Sequence, residues 1–521
     1  MPKDPTDWRR HASWYIAGIM LAAAALRFWT IGSGLPLLVG VDEPEIMDRA
    51  LHMLRNGEFN PHGFFDYPTL SIYLHALVAV ARFLAGAMRG EWTTLDQVWS
   101  GELYLWARAV TAFLSVLTVY VVYRAGLRWS VMTAVIAALA MAVQPQLVRE
   151  AHYALTDTPL TFFVAMTLLL SFCACETSRL RWFILAGAMA GFAAATKYNG
   201  GTAILMPLAA ILHVGALRIR TLALLGVVGG AAIAFLAGAP YSILDLPGFL
   251  NGFAALMQHY NQGWIGGESP AMLYLKYIAG WFGVITPGGK LYRSTSVLAL
   301  GLSAAGALSI ATGVVRSDRR AKALILLLFP LAYFWFISNH SLLFARYAMP
   351  LLPALCLAFG RGVDLVWEAL PAWFPGPRAR QVALAVMLCA LVPPAVQAFS
   401  FDANRRQVST TEVTARWLTE HVGPGELVII ESTEMKLPPA ITSENTLRLI
   451  GEPLDAYRAR GAAYLVSSST ETDKYFNDPA RFPSQVAAYK ALLHATTIVT
   501  MVQPVKGQRP GPTWQVLKVN K

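Results

Sequence analysis

The stretch LRIRTLALLGVVGGAAIAFLAGAP, residues 217–240, decides the fold class. Beyond Arg218 and Arg220 it runs through 221–239 without one charged side chain. A helix of that length covers about 28 Å at ~1.5 Å per residue, close to the ~30 Å hydrocarbon core of a bilayer. Comparable runs lie at 131–147, 158–175 and 322–337. The composition agrees: of 521 residues, 55% are hydrophobic and 14% charged, against roughly a quarter charged in soluble proteins. Mean hydropathy is +0.46. The chain therefore reads as an integral membrane protein. Eleven spans are expected, near 14–31, 104–123, 131–147, 158–175, 182–196, 202–217, 221–239, 295–315, 322–338, 344–360 and 381–398.

The net charge of +11 is organised by these spans. Lys3, Arg9 and Arg10 precede the first, and alternate loops carry Arg124/Arg128, Arg179/Arg181, Arg218/Arg220, the group Arg316, Arg319, Arg320 and Lys322, and Arg361/Arg378/Arg380. The intervening short loops hold one basic residue each: Arg149, Lys197 and Arg346. Lys and Arg are retained on the cytoplasmic side, so the N-terminus reads as cytoplasmic. The long loops 32–103 and 240–294 and the C-terminal tail then read as extracytoplasmic. The first apolar run follows Arg9 and Arg10 and is expected to stay as an anchor. Basic residues grouped in this way, with no stripe of interleaved aromatics, do not point to nucleic acid. Cys173, Cys175, Cys356 and Cys389 all fall inside expected spans and read as small buried hydrophobes.

The character changes near residue 403. A helical pattern at 408–420 stops at Gly423-Pro424-Gly425 and is followed by the strand-like LVII, 427–430. Helix then strand recurs at 453–460 with 462–466 and at 484–494 with 496–502, and WQVLKV, 514–519, closes the chain. The expectation is an all-α polytopic bundle over 1–402 and a small extracytoplasmic α/β domain over 403–521. The apolar segment 69–88 is expected along the membrane surface, because a span there would break the charge alternation.

Residues suited to chemistry gather on the outer side. Asp42 and Glu43 lie just beyond the first span, where a partly desolvated carboxylate can serve as a general base. Glu43 could also hold a divalent cation, and no other metal motif is evident. Asp157 opens the span at 158–175, a position that helix capping explains by itself. Capping does not explain Arg149, His152 and Tyr153 beside it. Lys197 and Arg346 are single cations in loops where cations are usually depleted, which suits a grip on an anionic headgroup. Arg27, inside the first span, is open to the same reading or to snorkelling.

These segments carry a resemblance. Asp42-Glu43 with RALHMLRNGEFNPHGFFDYPTLSIYLHAL, then REAHYALTDTPLTFF, AATKYNGG, HYNQGWIGGESP and RYAMPLLP, resemble the polyprenyl-phosphate-dependent glycosyltransferases of family 39, of GT-C fold. The likeness runs in order through 14–360. It implies a bacterial inner-membrane enzyme that moves a sugar from a polyprenyl-phosphate carrier to a glycolipid, glycan or protein acceptor, with inversion, on the extracytoplasmic face. It implies Asp42 as the base, with Asp157 shaping the site. Lys197, Arg346 and Arg149 would hold the donor phosphate, and His152, Tyr153, Tyr67, Tyr198 and His259 would contact substrate. Two features depart from the relatives: Tyr67 stands before Pro68 where the aminoarabinose transferases have Lys, and the protein mannosyltransferases' acceptor-binding part has no evident counterpart in 403–521. A flippase for lipid-linked sugars is the alternative.

Overall fold

The computed structural model describes residues 8–261, 269–282, 295–316, 319–340, 342–373 and 376–520. Lys3 and residues 262–268 of the HYNQGWIGGESP motif lie outside them. The chain divides into two compact units. One comprises Met1–Trp29, Gly57–Leu74 and Arg108–Phe401, and the other Thr30–Asn56, His75–Ala107 and Asp402–Lys521.

The helices up to residue 405, numbered in chain order, are α1 (Trp8–Phe28), α2 (Glu43–Asn56), α3 (Leu70–Ala87), α4 (Tyr104–Gly126), α5 (Val131–Ala142), α6 (Pro145–Ala151), α7 (Asp157–Thr177), α8 (Leu180–Thr196), α9 (Leu205–Ile211), α10 (Leu217–Gly238), α11 (Tyr241–Leu244), α12 (Leu246–Asn261), α13 (Pro270–Trp281), α14 (Ser296–Thr312), α15 (Arg320–Ser338), α16 (Leu352–Trp373), α17 (Pro377–Leu388) and α18 (Val392–Arg405). Among the described residues seven helical stretches are long and apolar enough to cross a membrane: α3, α7, α10, α15, Ser100–Gly126, Ala345–Ala372 and Pro377–His421. An eighth is formed if α5 and α6, bent by 56°, count as one span. The chain is a multi-pass integral membrane protein.

The eleven expected spans differ from these in identifiable ways. The run at 202–217 is a 3-10 turn, Tyr198–Ile204, followed by the short α9. Pro145 opens α6, where its missing N–H would interrupt a continuous helix, so 131–147 is bent. The helices α8 and Val297–Thr312 are apolar but short. The segment assigned to the membrane surface forms α3, which meets the length and hydropathy of a span. Apolar length alone does not separate a straight span from one broken at a functional end.

Close helix approach in the first unit depends on small residues. A Cβ at Gly187 or Gly191 of α8 would strike the α10 backbone at Val227 or Ala231. Without a hydrophobic drive between helices in lipid, such backbone proximity supplies the van der Waals contact that holds spans together. Gly191→Val should separate α8 from α10 and cost about 1–3 kcal/mol. Thermal unfolding of the full chain in detergent measures this, and an unchanged midpoint would contradict the packing. Arg27, fully buried, donates to Ser115 Oγ at 2.7 Å and to the carbonyls of Ala142 and Met141 at 2.9 and 3.2 Å. It caps the C-terminal end of α5, where a cation is favoured.

The second unit holds a five-stranded sheet of order β2-β1-β3-β5-β4, with β1 Leu427–Ile430, β2 Thr442–Asn445, β3 Ala462–Ser468, β4 Thr496–Val502 and β5 Trp514–Val519. β1 runs parallel to β2 and β3, and β5 antiparallel to β3 and β4. Alternation along the strands gives two cores. Val428, Ile430, Val466 and Val516 pack with Ala415 and Leu418 of α19 (Thr410–His421), while Ile429, Leu465 and Leu517 pack with Tyr457 and Tyr489 on the other side. At the end of β1, buried Glu431 accepts from Leu449 N and Ser468 N at 2.8 and 3.0 Å, from Ser467 Oγ at 3.1 Å and from Tyr489 Oη. Burial pushes its carboxyl above the ordinary range, opposed by these hydrogen bonds.

Candidate active site

Lys197 sits where α8 stops. Its backbone is extended, at φ −157° and ψ 131°, between the α-helix and the 3-10 turn that begins at Tyr198. Gly200 N–H bonds Lys197 O at 2.8 Å, folding the turn back on the helix end. A Cβ at Gly200 would collide with the Ala193 carbonyl, so this return requires glycine. The break turns the Lys197 side chain toward the start of α7. There Nζ meets Asp157 Oδ1 at 2.8 Å, and Arg346 Nε, from the 3-10 turn Ala345–Leu351, meets Oδ2 at 3.3 Å.

Three residues from three separate motifs thus form one charged cluster in the first unit. The side chains of Asp157, Lys197 and Arg346 are 3%, 5% and 17% exposed. A buried ion pair is costly unless its geometry is good, and here one carboxylate faces two cations. Lys197 also lies 4.0 Å from the Tyr347 ring centre and 5.9 Å from that of Tyr67, both within cation–π range. A small cleft of about 30 Å³ lies beside it, lined by Asp66, Lys197, Tyr198, Asn199, Tyr260, His340 and Tyr347 among others.

The other expected residues take different places. Arg149 is exposed and reaches Glu150 Oε1 at 3.8 Å. His152 is buried, its Nδ1 2.8 Å from Val148 O and its ring edge-on to Phe401. The Tyr153 ring faces the buried Arg108 guanidinium at 5.5 Å. Tyr198 lines the cleft and donates its hydroxyl to Phe65 O at 3.0 Å. His259 is exposed on α12.

Two carboxylates escaped the sequence reading. Asp66 is an exposed acid lining the cleft. Glu150 is buried, accepts from Gln146 Nε2 at 2.7 Å, and feels the charges of Arg346, Asp157, Arg149 and Lys197. Their signals were the acid before Tyr67-Pro68 and the acid beside Arg149.

Asp42 and Glu43 belong to the second unit. Asp42 is half-buried in the turn before α2, while Glu43 is fully buried and accepts from Gly40 N–H at 2.6 Å. Residues of the C-terminal region hold this loop. Leu38 bridges to Met435, Lys436 N–H bonds Leu37 O at 2.9 Å, Thr433 Oγ1 donates to Val41 O at 3.1 Å, and Lys436 Nζ meets Asp48 at 2.8 Å. Among the described residues no group of three or more His, Cys, Asp or Glu side chains could hold a metal ion.

The family model "Dolichyl-phosphate-mannose-protein mannosyltransferase" matches residues 54–254. This stretch, less than half of the chain, is similar to that family of lipid-phosphate-sugar-dependent membrane glycosyltransferases. ArnT from Cupriavidus metallidurans bound to undecaprenyl phosphate is similar in structure, at TM-score 0.58 and 17% identity, covering 97% of this chain and 98% of that one. The oligosaccharyltransferase of Archaeoglobus fulgidus in the apo form gives TM-score 0.60 and 15% identity, covering 89% and 70%. Its complex with an inhibitory peptide and a dolichol-phosphate gives TM-score 0.55 and 14% identity, covering 93% and 73%. These likenesses establish the GT-C fold. No curated protein matches the sequence.

Proposed function

We propose that the chain transfers a sugar from a polyprenyl-phosphate carrier to an acceptor on the extracytoplasmic face, with inversion. The observation that carries this reading is the buried Asp157 bridging Lys197 and Arg346 beside the cleft. Asp157 presets the positions of the two cations beside the cleft, where a donor phosphate would meet them. As the glycosidic C–O bond breaks, the phosphodiester of the donor becomes a phosphate monoester. The extra negative charge develops where fixed cations are most effective. Asp42 takes the proton of the attacking acceptor hydroxyl, and the C-terminal region 433–436 fixes its loop. Arg149, exposed, meets the donor at the rim, as do Tyr67 and Tyr198. The relatives in complex with undecaprenyl phosphate and dolichol-phosphate support the donor class.

The experiment is donor-side binding. Charge-assisted contacts are worth about 1.5–3 kcal/mol each, so Lys197→Ala and Arg346→Ala should each weaken undecaprenyl phosphate binding by about ten- to a hundredfold. Unchanged affinity in both folded variants would make these residues structural partners of Asp157 and end the clamp reading. The orientation rests on the Arg/Lys alternation, with the C-terminal domain outside. Reporter fusions at Arg320 and Lys521 should lie in opposite compartments, and matching signals would overturn it.

A further inference from the structure

Asn199 belongs to the 3-10 turn Tyr198–Ile204, two residues past Lys197, and lines the cleft with it. Its backbone is held by Thr202 Oγ1, which donates to Asn199 O at 2.7 Å. Its side chain is held by the fully buried Tyr333. Asn199 Nδ2 donates to Tyr333 Oη at 3.1 Å, and that hydroxyl donates onward to Tyr347 O at 2.9 Å. A tyrosine hydroxyl has one hydrogen, and here it goes to a carbonyl, so Tyr333 can only accept from Asn199. This fixes the amide nitrogen on the Tyr333 side. Asn199 Oδ1 is left buried, with no donor among the described residues.

His340, two residues past the end of α15, lines the same cleft. Its ring is edge-on to Phe336 at 4.5 Å and tilted against Tyr260 at 5.3 Å. Its Nδ1 is also buried without a hydrogen-bond partner among the described residues. Buried polar atoms are nearly always satisfied. Two unsatisfied ones, brought from separate stretches of chain to one cleft, point to a ligand that supplies the missing partner.

Chemistry and size identify the group. An amide oxygen only accepts, whereas an imidazole nitrogen accepts or donates with its tautomer. A hydroxyl, with one hydrogen and two lone pairs, serves both atoms at once, while an ether or carbonyl oxygen has nothing to give Oδ1. The cleft has about 30 Å³ of space, against ~10–15 Å³ for one water, so it admits about two water-sized groups and no sugar ring. A single substituent enters and the ring stays outside. Lys197, which a donor phosphate would meet, lines this cleft, so the sugar on that phosphate is the nearest source of hydroxyls.

Resting on the donor reading above, we propose that Asn199 Oδ1 and His340 Nδ1 receive one hydroxyl of the lipid-carried sugar and so select the donor by its sugar. Lys197 and Arg346 hold the phosphate that every such donor shares, and Asn199 and His340 read what differs. A site built to hydrogen-bond a hydroxyl discriminates strongly against analogues that lack it, because its own polar atoms are then left unpaired.

The test measures binding of undecaprenyl phosphate, and of undecaprenyl-phosphate mannose, glucose and arabinose, to the full-length protein in nanodiscs. Wild type should bind at least one sugar lipid about tenfold tighter than undecaprenyl phosphate itself. Asn199→Ala should cut that preference about fivefold while keeping its affinity for undecaprenyl phosphate. His340→Phe keeps the ring contacts with Phe336 and Tyr260 but has no nitrogen. It should behave in the same way, and it serves alone should Asn199→Ala fail to fold. Full preference in the folded variants would overturn the proposal. So would equal loss of bare and sugar-lipid binding, which would make the two residues structural. A wild type that binds undecaprenyl phosphate but prefers none of the sugar lipids would overturn it as well. Failure of the donor reading looks different: wild type would bind neither undecaprenyl phosphate nor any sugar lipid, and the proposal would fall with it.

Discussion

Asp42→Asn should lower the transfer rate by about 10²–10⁴-fold while expression, membrane insertion and undecaprenyl phosphate binding persist. Loss of a general base costs about that much. Asparagine keeps the shape and can hydrogen-bond an acceptor hydroxyl, but it cannot take the proton at neutral pH. The turn holding Asp42 supports the assignment: the neighbouring Glu43 is fully buried and occupied by Gly40 N–H at 2.6 Å, whereas Asp42 is partly open. Glu43→Gln should therefore disturb the turn and lower stability more than it alters the pH dependence of transfer. Near-wild-type turnover by folded Asp42→Asn would remove Asp42 as base.

Asp157→Ala should destabilise the protein by about 3–5 kcal/mol and abolish donor binding, because removing one partner of a buried charged group leaves the others uncompensated. Lys197, only 5% exposed in its side chain, would lose the carboxylate that it meets at 2.8 Å. The double variant Asp157→Leu, Lys197→Met removes both charges of the tighter pair, and apolar replacement of a buried ion pair is often tolerated. It should fold better than Asp157→Ala yet still fail to bind undecaprenyl phosphate. Thermal unfolding with binding of that lipid separates the two effects. An Asp157→Ala protein as stable as wild type would show that the cluster is not held together by this carboxylate.

Much of this was readable before any coordinates. The alternation of basic loops and the apolar runs follow from solvation, which acts residue by residue, and so the membrane class was plain. The strands 427–430, 496–502 and 514–519 coincide with β1, β4 and β5, because β-branched runs bounded by turns have few other uses. The sheet's edge strand β2, TSEN at 442–445, is polar and largely exposed, so it left no pattern to find. At the site, Asp157, Lys197 and Arg346 were each singled out, but their meeting on one carboxylate depends on the break after α8 and could not be read from spacing. Asp66 and Glu150 were passed over for opposite reasons. An exposed acid in a loop resembles any solvated acid, and a buried acid beside Arg149 resembles an ordinary surface pair until the fold buries it. Arg27 was ambiguous in sequence, and the carbonyls at the end of α5 resolve it as a cap.

Residues 433–436 hold the Asp42 loop, so if Asp42 is the base, as proposed, the C-terminal domain positions it. That hold acts through the backbone of residues 37–41.

The central claim is that the lipid-phosphate sugar is consumed by transfer. The most direct measurement places the purified protein in proteoliposomes with polyprenyl-phosphate hexose and pentose donors, sugar-labelled, together with a glycolipid and protein extract of membranes as acceptor source. For a donor that binds, the label should leave the carrier and appear on acceptor material, with polyprenyl phosphate released in equal amount and only when acceptor is present. Label that stays on the carrier and merely changes leaflet would contradict the account and identify a flippase.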